Sequence, residues 1–123
     1  GRYMLKQGKG RIVNLCSTLA ERGVSNESVY CASMGAIGQI TRALGLEWAR
    51  NGITVNGIGT GWYTLEEIAL EQQQEQPLVR YLPSRRLGQP QEIVPLLVLL
   101  CSDASSYVNG QTIFVDGGAM THA

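Results

Sequence analysis

The sequence carries no excess of either charge. Its 123 residues include ten Lys or Arg and ten Asp or Glu, and no cluster of like charge stands out. This balance argues against nucleic acid or an anionic membrane as a partner. Long apolar runs are also missing, because the longest, residues 93–101, is interrupted by Pro95 and is too short to span a bilayer. No basic segment followed by an apolar core opens the chain, so we expect no signal peptide.

Histidine and cysteine are scarce, which argues against a metal site. The single histidine, His122, lies at the tail, and Cys16, Cys31 and Cys101 do not have the spacing of metal ligands. We therefore expect no metal. We also expect reduced thiols in a cytoplasmic protein, with two of the three cysteines buried as small apolar side chains.

Short apolar runs rich in β-branched residues predict three buried strands. They lie at residues 11–16, 53–58 and 112–115. A tight turn is expected at residues 59–61. Continuous apolar strands joined by helices are typical of a parallel sheet that is covered on both faces. The predicted fold class is therefore α/β, with three parallel strands and flanking helices.

The segments between the strands predict three helices. Apolar residues at helical spacing predict a long amphipathic helix over residues 29–50, with Ser28 as a candidate cap and Asn51-Gly52 as its end. A polar helix is predicted over residues 64–76, ended by Pro77. A third helix is predicted from Gln89 through Leu100.

Ser17 and Tyr30 are the first residues that suggest chemistry. Ser17 follows the first strand and so lies at the carboxyl edge of the sheet, where open α/β sheets bind ligands. Tyr30 lies in the first turn of the next helix, which starts near the same edge. A hydroxyl and a phenol that converge there could polarise a carbonyl, although either residue alone is more often structural.

Several motifs in order along the chain resemble the classical short-chain dehydrogenase/reductase family. They are GRIVNLCS at 10–17 with Tyr30 thirteen residues after Ser17, GITVN at 52–56, Gly61, RLGQPQEI at 86–93, SDASSYVNGQ at 102–111 and VDGG at 115–118. The resemblance implies that residues 1–123 are a single partial domain, the carboxyl-terminal half of a Rossmann-type doubly wound parallel sheet. LEWAR at 46–50 is similar to members that act on sugar acids, while the general pattern is as close to 3-oxoacyl thioester reductases.

The resemblance also implies roles for single residues. Ser17 matches the serine that hydrogen-bonds the substrate oxygen, and Tyr30 matches the general acid/base that exchanges a proton with that oxygen. Thr60, Gly61 and Tyr63 match the segment that lies against the nicotinamide. The implied cofactor is NAD or NADP, and the implied partner is a small-molecule alcohol or ketone.

Three departures from the family pattern put activity in question. The family has Lys four residues after the tyrosine, where its ammonium lowers the tyrosine pKa and holds the cofactor ribose; here that position is Met34. Thr60 replaces the usual Pro, and Leu65 replaces a phosphate-contacting Thr. The amino-terminal half of the family fold is missing, and no G-x-G-x-x-G turn occurs.

Two functions therefore stay open from the sequence. One is an NAD(P)-dependent oxidoreductase present as a half-chain that is inactive alone. The alternative is a non-catalytic binding or assembly subunit of the same fold. In either case the first strand has no earlier neighbour, so we expect a homo-oligomer or pairing with a chain that carries the first half. The family's interface helix matches residues 29–50, where Gly35, Ala36 and Gly38 would allow close approach or simply pack on the sheet.

Overall fold

The computed structural model describes residues 1–121, and its strands form one sheet. The strands are β1 (Gly10–Ser17), β2 (Ile53–Thr60) and β3 (Thr112–Val115). They are parallel and stand in the order β1-β2-β3. The helices are α1 (Arg2–Gln7), α2 (Ser28–Trp48), α3 (Leu70–Gln74), α4 (Pro77–Tyr81) and α5 (Val94–Cys101). The predicted α/β fold with three parallel strands and flanking helices is confirmed.

The central strand, β2, forms the core of the sheet. Ile53, Val55 and Ile58 are at most 1% exposed. The β1 strand pairs with β2 on one side, and Leu15 on β1 is 58% exposed. Within the described part of the chain no strand pairs with the other edge of β1.

Two asparagines complete the hydrogen bonding of β2 where β3 has not yet begun. Asn109 Oδ1 accepts a hydrogen bond from Val55 N at 2.9 Å, and Asn109 Nδ2 donates to Gly45 O at 2.8 Å. Asn56 Nδ2 donates to Val108 O at 2.8 Å, and Asn56 Oδ1 accepts from Gln111 N at 3.1 Å. These bonds matter because an unpaired backbone group inside a fold costs free energy. The turn before β3 is thereby fixed to β2 and to α2.

The predicted long helix forms as α2, from Ser28 to Trp48, close to the predicted residues 29–50. Ser28 is not a cap: it is the first residue of α2, and Glu27 precedes the helix without a side-chain hydrogen bond to it. A short 3₁₀ turn follows at Ala49–Asn51, and Gly52 closes it with φ of 70°. This left-handed conformation favours glycine, so the predicted Asn51-Gly52 end is confirmed.

Two predictions about the segment after β2 are wrong. No tight turn forms at residues 59–61, since β2 continues through Thr60 and Gly61 N still donates to Val115 O at 3.3 Å. The helix predicted over 64–76 is reduced to α3. Thr64 Oγ1 accepts from Glu66 N at 3.0 Å, and a side-chain turn of this kind competes with helical hydrogen bonding. Pro77 does not end a helix but begins α4, where its missing N–H costs little.

The third predicted helix forms in two parts. A 3₁₀ turn at Pro90–Ile93 leads directly into α5. Glu92 accepts from Gln89 N at 2.8 Å and completes a capping box, and it binds Arg86 through two hydrogen bonds of 2.6 and 2.8 Å. The family motif at residues 86–93 therefore has a structural role here, because its side chains fix where this helix begins.

The cysteines are free thiols, but one prediction about them is wrong. Cys16 is buried, whereas Cys31 is half-buried and Cys101 is exposed. The prediction of two buried cysteines fails because Cys31, in the first turn of α2, is only half-buried and Cys101, at the end of α5, is exposed. Over residues 1–121, no helix has both the length and the apolar character needed to cross a membrane, and His, Cys, Asp and Glu form no cluster able to hold a metal ion.

Candidate active site

The carboxyl ends of the three strands lie level with one another. Ser17 is the register partner of Thr60, and Thr60 is the register partner of Val115. Thr60 also donates from its hydroxyl to Cys16 O at 3.0 Å, which ties the end of β2 to the end of β1. The predicted position of Ser17 at the carboxyl edge of the sheet is confirmed, and Thr60 lies beside it as the last residue of β2.

The Ser17 side chain is buried and has a defined partner. Its Oγ accepts a hydrogen bond from Leu19 N at 3.1 Å, in the 3₁₀ turn that begins at Thr18, and the residue is 8% exposed. Because a hydroxyl carries one proton as well as acceptor lone pairs, this bond leaves the Ser17 proton to donate elsewhere. The geometry suits a group that donates to a substrate oxygen.

The first turns of α2 pack on the segment that follows Ser17. A Cβ at Gly35 would lie 3.6 Å from Ala20 O, so the helix runs close to the turn after β1. Tyr30 lies in the first turn of α2 and is 44% exposed. Met34, one turn later on the same helix face, is half-buried. The structure therefore brings the Ser17 segment and the Tyr30 helix start together, and the catalytic roles of both residues stay predictions.

No lysine takes the place that Met34 leaves. Lys9 forms an ion pair with Asp103 at 2.9 Å, next to the amino-terminal end of β1. Lys6 lies on α1, before β1. Both lysines precede β1 in the chain, whereas Tyr30 follows its opposite end. The described residues therefore offer a thioether, and no ammonium, beside Tyr30.

Gly61 is explained by packing at the end of the sheet. A Cβ at this position would lie 2.8 Å from Asp116 Cα, so only glycine lets β2 pass the turn after β3. The requirement for glycine exists without any cofactor. Asp116 in turn accepts from Gly118 N at 2.9 Å and from Met120 N at 2.8 Å, which fixes that turn.

The side chains after Gly61 test whether a dinucleotide fits this segment. The Tyr63 hydroxyl donates to Val115 O at 2.7 Å, and burial, with Glu92 and Asp116 nearby, raises the pKa of this phenol. The Thr64 hydroxyl is held in its own turn. Leu65, at the family's phosphate-contacting position, is an apolar side chain that is 90% exposed. No hydroxyl in this stretch is therefore directed at a phosphate.

The fit to a nicotinamide cofactor is thus partial. Ser17 and the backbone of Thr60 and Gly61 lie at the carboxyl edge of the sheet, the edge where open α/β sheets bind ligands. The segment after Gly61 does not fit the diphosphate, and Met34 cannot donate to a ribose. The predicted cofactor contacts of Thr60, Gly61 and Tyr63 stay predictions.

One residue near the site was missed by the sequence interpretation. Arg22, between Ser17 and Tyr30, donates from Nη1 to Ala119 O at 3.0 Å and from Nη2 to the Tyr81 hydroxyl. The Arg22 backbone carbonyl also accepts from the Cys31 thiol at 3.7 Å, beside Tyr30. The only signal in the sequence was its position between the two candidate catalytic residues.

Comparison with known proteins gives consistent matches over the chain. The family model described as enoyl-(acyl carrier protein) reductase matches residues 1–120. The chain is 38% identical to 5-keto-D-gluconate 5-reductase of Escherichia coli (strain K12), covering 97% of this chain and 48% of the relative. It is 41% identical to the L-tagatose-forming galactitol 2-dehydrogenase of Cereibacter sphaeroides, covering 96% and 48%.

Solved structures agree with the sequence matches. The crystal structure of a gluconate 5-dehydrogenase from Burkholderia cenocepacia, in complex with NADP and tartrate, superposes with a TM-score of 0.88 at 34% identity. The match covers 99% of this chain and 49% of that one. The chain therefore spans about half the length of the relatives it matches. With matching motifs, sheet order and strand-end geometry, the chain belongs to the classical short-chain dehydrogenase/reductase family.

Proposed function

We propose that this chain forms the substrate-binding half of an NAD(P)-dependent oxidoreductase that interconverts a secondary alcohol and a ketone. The observation that carries the proposal is the position of Ser17. It ends β1 at the carboxyl edge of the sheet, with its proton free to donate and the start of α2 packed on the turn that follows it. The relatives' names support an alcohol or ketone substrate.

The residues of this chain would act on the substrate oxygen. The Ser17 hydroxyl donates to that oxygen and orients it, as its bond from Leu19 N permits. The Tyr30 phenol gives the oxygen a proton when a ketone is reduced and removes the proton when an alcohol is oxidised. A bound nicotinamide would supply or accept the hydride at the neighbouring carbon.

Met34 limits this activity. A tyrosine that exchanges protons near neutral pH needs a nearby positive charge, and a thioether provides none. The cofactor ribose also loses the donor that a lysine would give. We therefore expect weak or no turnover from this chain alone, even when substrate binds.

A second candidate function follows from the same position. A non-catalytic binding or assembly subunit would keep the fold and would not need the family's lysine, and here Met34 stands in place of that lysine. The exposed apolar side chains on α2 and α5 are consistent with a partner subunit, either a copy of this chain or a chain that supplies the first half. They include Val29, Ile40 and Leu46 on α2 and Val94 and Val98 on α5.

The substrate proposed here is a sugar acid or a polyol. The relatives named above act on 5-keto-D-gluconate or galactitol by their names. The choice between NAD and NADP rests on the first half of the family fold. We propose a cytoplasmic location, in keeping with the free thiols.

Restoring the lysine tests the two candidate functions. The first half of the E. coli reductase is fused to residues 1–123, carrying either Met34 or Met34→Lys. Reduction of 5-keto-D-gluconate is then measured with NADH and with NADPH. Met34→Leu is the matched neutral control, and Tyr30→Phe removes the proposed acid.

The outcomes separate the readings. Turnover in Met34→Lys that Tyr30→Phe abolishes supports the oxidoreductase, with Met34 as the reason for low activity. Activity that persists in Tyr30→Phe would refute the role given to Tyr30. No turnover in any variant of a fusion that folds and binds cofactor would favour the non-catalytic subunit.

A further inference from the structure

Arg22 joins three segments beside the candidate active site. Its backbone carbonyl accepts a hydrogen bond from the thiol of Cys31, which follows Tyr30 in the first turn of α2. Its guanidinium reaches Tyr81 at the end of α4 and Ala119 in the 3₁₀ turn after β3. The guanidinium carbon lies 5.3 Å from the centre of the Tyr81 ring. Arg22, in the loop after Ser17, thus contacts both α4 and the 3₁₀ turn after β3.

The charge of Arg22 has no anionic partner among the described residues. A guanidinium has five N–H donors, and the two bonds given above use two of them, both on neutral oxygens. Other arginines of this chain bind carboxylates. The pairs are Arg11 with Asp103, Arg42 with Glu21 and Arg86 with Glu92. Arg22 is half-buried, so an uncompensated charge costs more here than on the open surface.

Arg22 is held in place without being neutralised. The Ala119 carbonyl and the Tyr81 hydroxyl accept hydrogen bonds from the guanidinium, and together with the Tyr81 ring they fix its plane. Three N–H donors remain, and a planar guanidinium matches a carboxylate through two parallel hydrogen bonds. A neutral polyol would leave the charge uncompensated. An acid would satisfy both the charge and the donors.

We propose that Arg22 binds the carboxylate of a hydroxy-acid substrate and so makes the site selective for sugar acids over neutral polyols. This inference rests on the proposed function, since it places the substrate between Arg22 and the end of β1. Arg22 is then a specificity-determining residue that touches the end of the substrate away from the reacting carbon.

The test compares an acid and a polyol of the same carbon skeleton. Gluconate and sorbitol are titrated into the 123-residue chain and followed by ligand-observed NMR, which reads weak binding without turnover. The variants are Arg22→Gln, which removes the charge, and Arg22→Lys, which keeps it. We expect Arg22→Gln to weaken gluconate binding about tenfold or more, the effect of losing a charge-assisted pair. Arg22→Lys should retain part of the affinity, and sorbitol binding should stay the same in all three proteins.

A purely structural role for Arg22 predicts a different pattern. Tyr81→Phe keeps the ring and removes one acceptor of the Arg22 link. If the link alone mattered, Tyr81→Phe would weaken gluconate binding as much as Arg22→Gln, and sorbitol binding would fall in parallel. Either result would overturn the proposal, as would equal gluconate affinity in Arg22→Gln and the parent chain. Unfolding midpoints of all variants show whether each protein is folded under the titration conditions.

Failure of this inference can be told apart from failure of the proposed function. Unchanged selectivity for gluconate in Arg22→Gln, with turnover intact in the Met34→Lys fusion, would reject the role of Arg22 alone. Charge-dependent gluconate binding without turnover in any fusion would reject the oxidoreductase and keep Arg22 as an acid-binding residue.

Discussion

Thr60 donates a hydrogen bond from its side-chain hydroxyl to the carbonyl of Cys16 at 3.0 Å, and Thr60 is the register partner of Ser17. The family's usual proline at this position has no hydroxyl. In this chain the substitution thus adds a link between two strand ends, immediately beside the candidate catalytic serine. The departure from the family pattern therefore gives the end of β1 a hydrogen bond that proline could not donate.

Removing this hydroxyl should destabilise the protein modestly. Thr60→Val keeps the β-branched shape and leaves the Cys16 carbonyl without this donor, at a cost of about 1 kcal/mol. Urea denaturation followed by circular dichroism measures the change in unfolding free energy. Thr60→Ser, which keeps a hydroxyl, is the matched control and should lose less. Equal stability of Thr60→Val and the parent chain would show that the bond contributes nothing.

Two glycines of α2 should respond to alanine in opposite directions. A Cβ at Gly38 meets nothing within 4 Å, so Gly38→Ala should stabilise the chain by about 0.5–1 kcal/mol through helix propensity. A Cβ at Gly45 would lie 3.0 Å from Asn109 Oδ1 and from Gly110. Asn109 is fixed by its bonds to Val55 and Gly45, so the neighbour cannot easily move.

Gly45→Ala should therefore destabilise the chain by about 1 kcal/mol or more, as overpacking does. Both variants are compared with the parent chain by thermal unfolding under the same conditions. The result that contradicts the structure is a lower midpoint for Gly38→Ala than for Gly45→Ala. It would mean that Gly38, and not Gly45, is the point of close approach.

The sequence predicted the sheet well because its signal is local. Runs of β-branched residues mark β1, β2 and β3, and Gly52 marks the end of α2. The helix predicted over residues 64–76 failed because apolar spacing does not reveal that the Thr64 hydroxyl closes a turn of its own. The sequence around Pro77 also could not decide between two outcomes, because a proline can follow the end of one helix or begin the next.

The candidate site was only partly visible in the sequence for a related reason. Ser17 and Tyr30 stand in motifs that can be read along the chain. The partners of Arg22 are 59 and 97 residues away, so no local pattern connects them. Tyr63 was placed correctly after β2, but its bond to Val115, 52 residues later, depends on the parallel pairing of β2 and β3.

The Arg86–Glu92 pair should give the protein an acid-sensitive contribution to stability. Hydrogen bonds from Arg86 and from Gln89 N lower the pKa of Glu92 from its ordinary 4.5 to about 2. A depressed carboxyl pKa stabilises the fold above the unfolded value, near 4.5, and this contribution disappears as the pH falls from about 4.5 to 2. Because both side chains are about half exposed, water screens the pair and its contribution stays below about 1 kcal/mol.

Comparing Glu92→Gln with the parent chain at several pH values tests this. Glutamine can still accept from Gln89 N, so the variant removes charge and largely keeps the cap. The stability difference should be present at pH 7 and should shrink between pH 4.5 and pH 2. A difference that is constant over this range would show that the Glu92 charge is not the cause. Arg86→Gln in the same series should reproduce most of the effect.

The alkylation rates of the three cysteine thiols should differ and should show how rarely the carboxyl end of β1 opens to solvent. Cys16 is 4% exposed, and burial, together with Glu21, raises the pKa of its thiol. Since the thiolate is the form that reacts, Cys16 should be alkylated by iodoacetamide more than about tenfold more slowly than the exposed Cys101. Cys31, half-buried and bonded to Arg22 O, should fall between them.

Peptide mass spectrometry after timed alkylation gives the rate at each cysteine. Labelling in denaturant should equalise the three rates, and Cys101→Ser leaves the slower sites to be followed alone. Because the Cys16 carbonyl accepts from Thr60, the Thr60→Val variant should label faster at Cys16 and unchanged at Cys101. Rapid labelling of Cys16 in the folded parent chain would mean that the end of β1 opens readily, and Ser17 would then lack the fixed position that its proposed role requires.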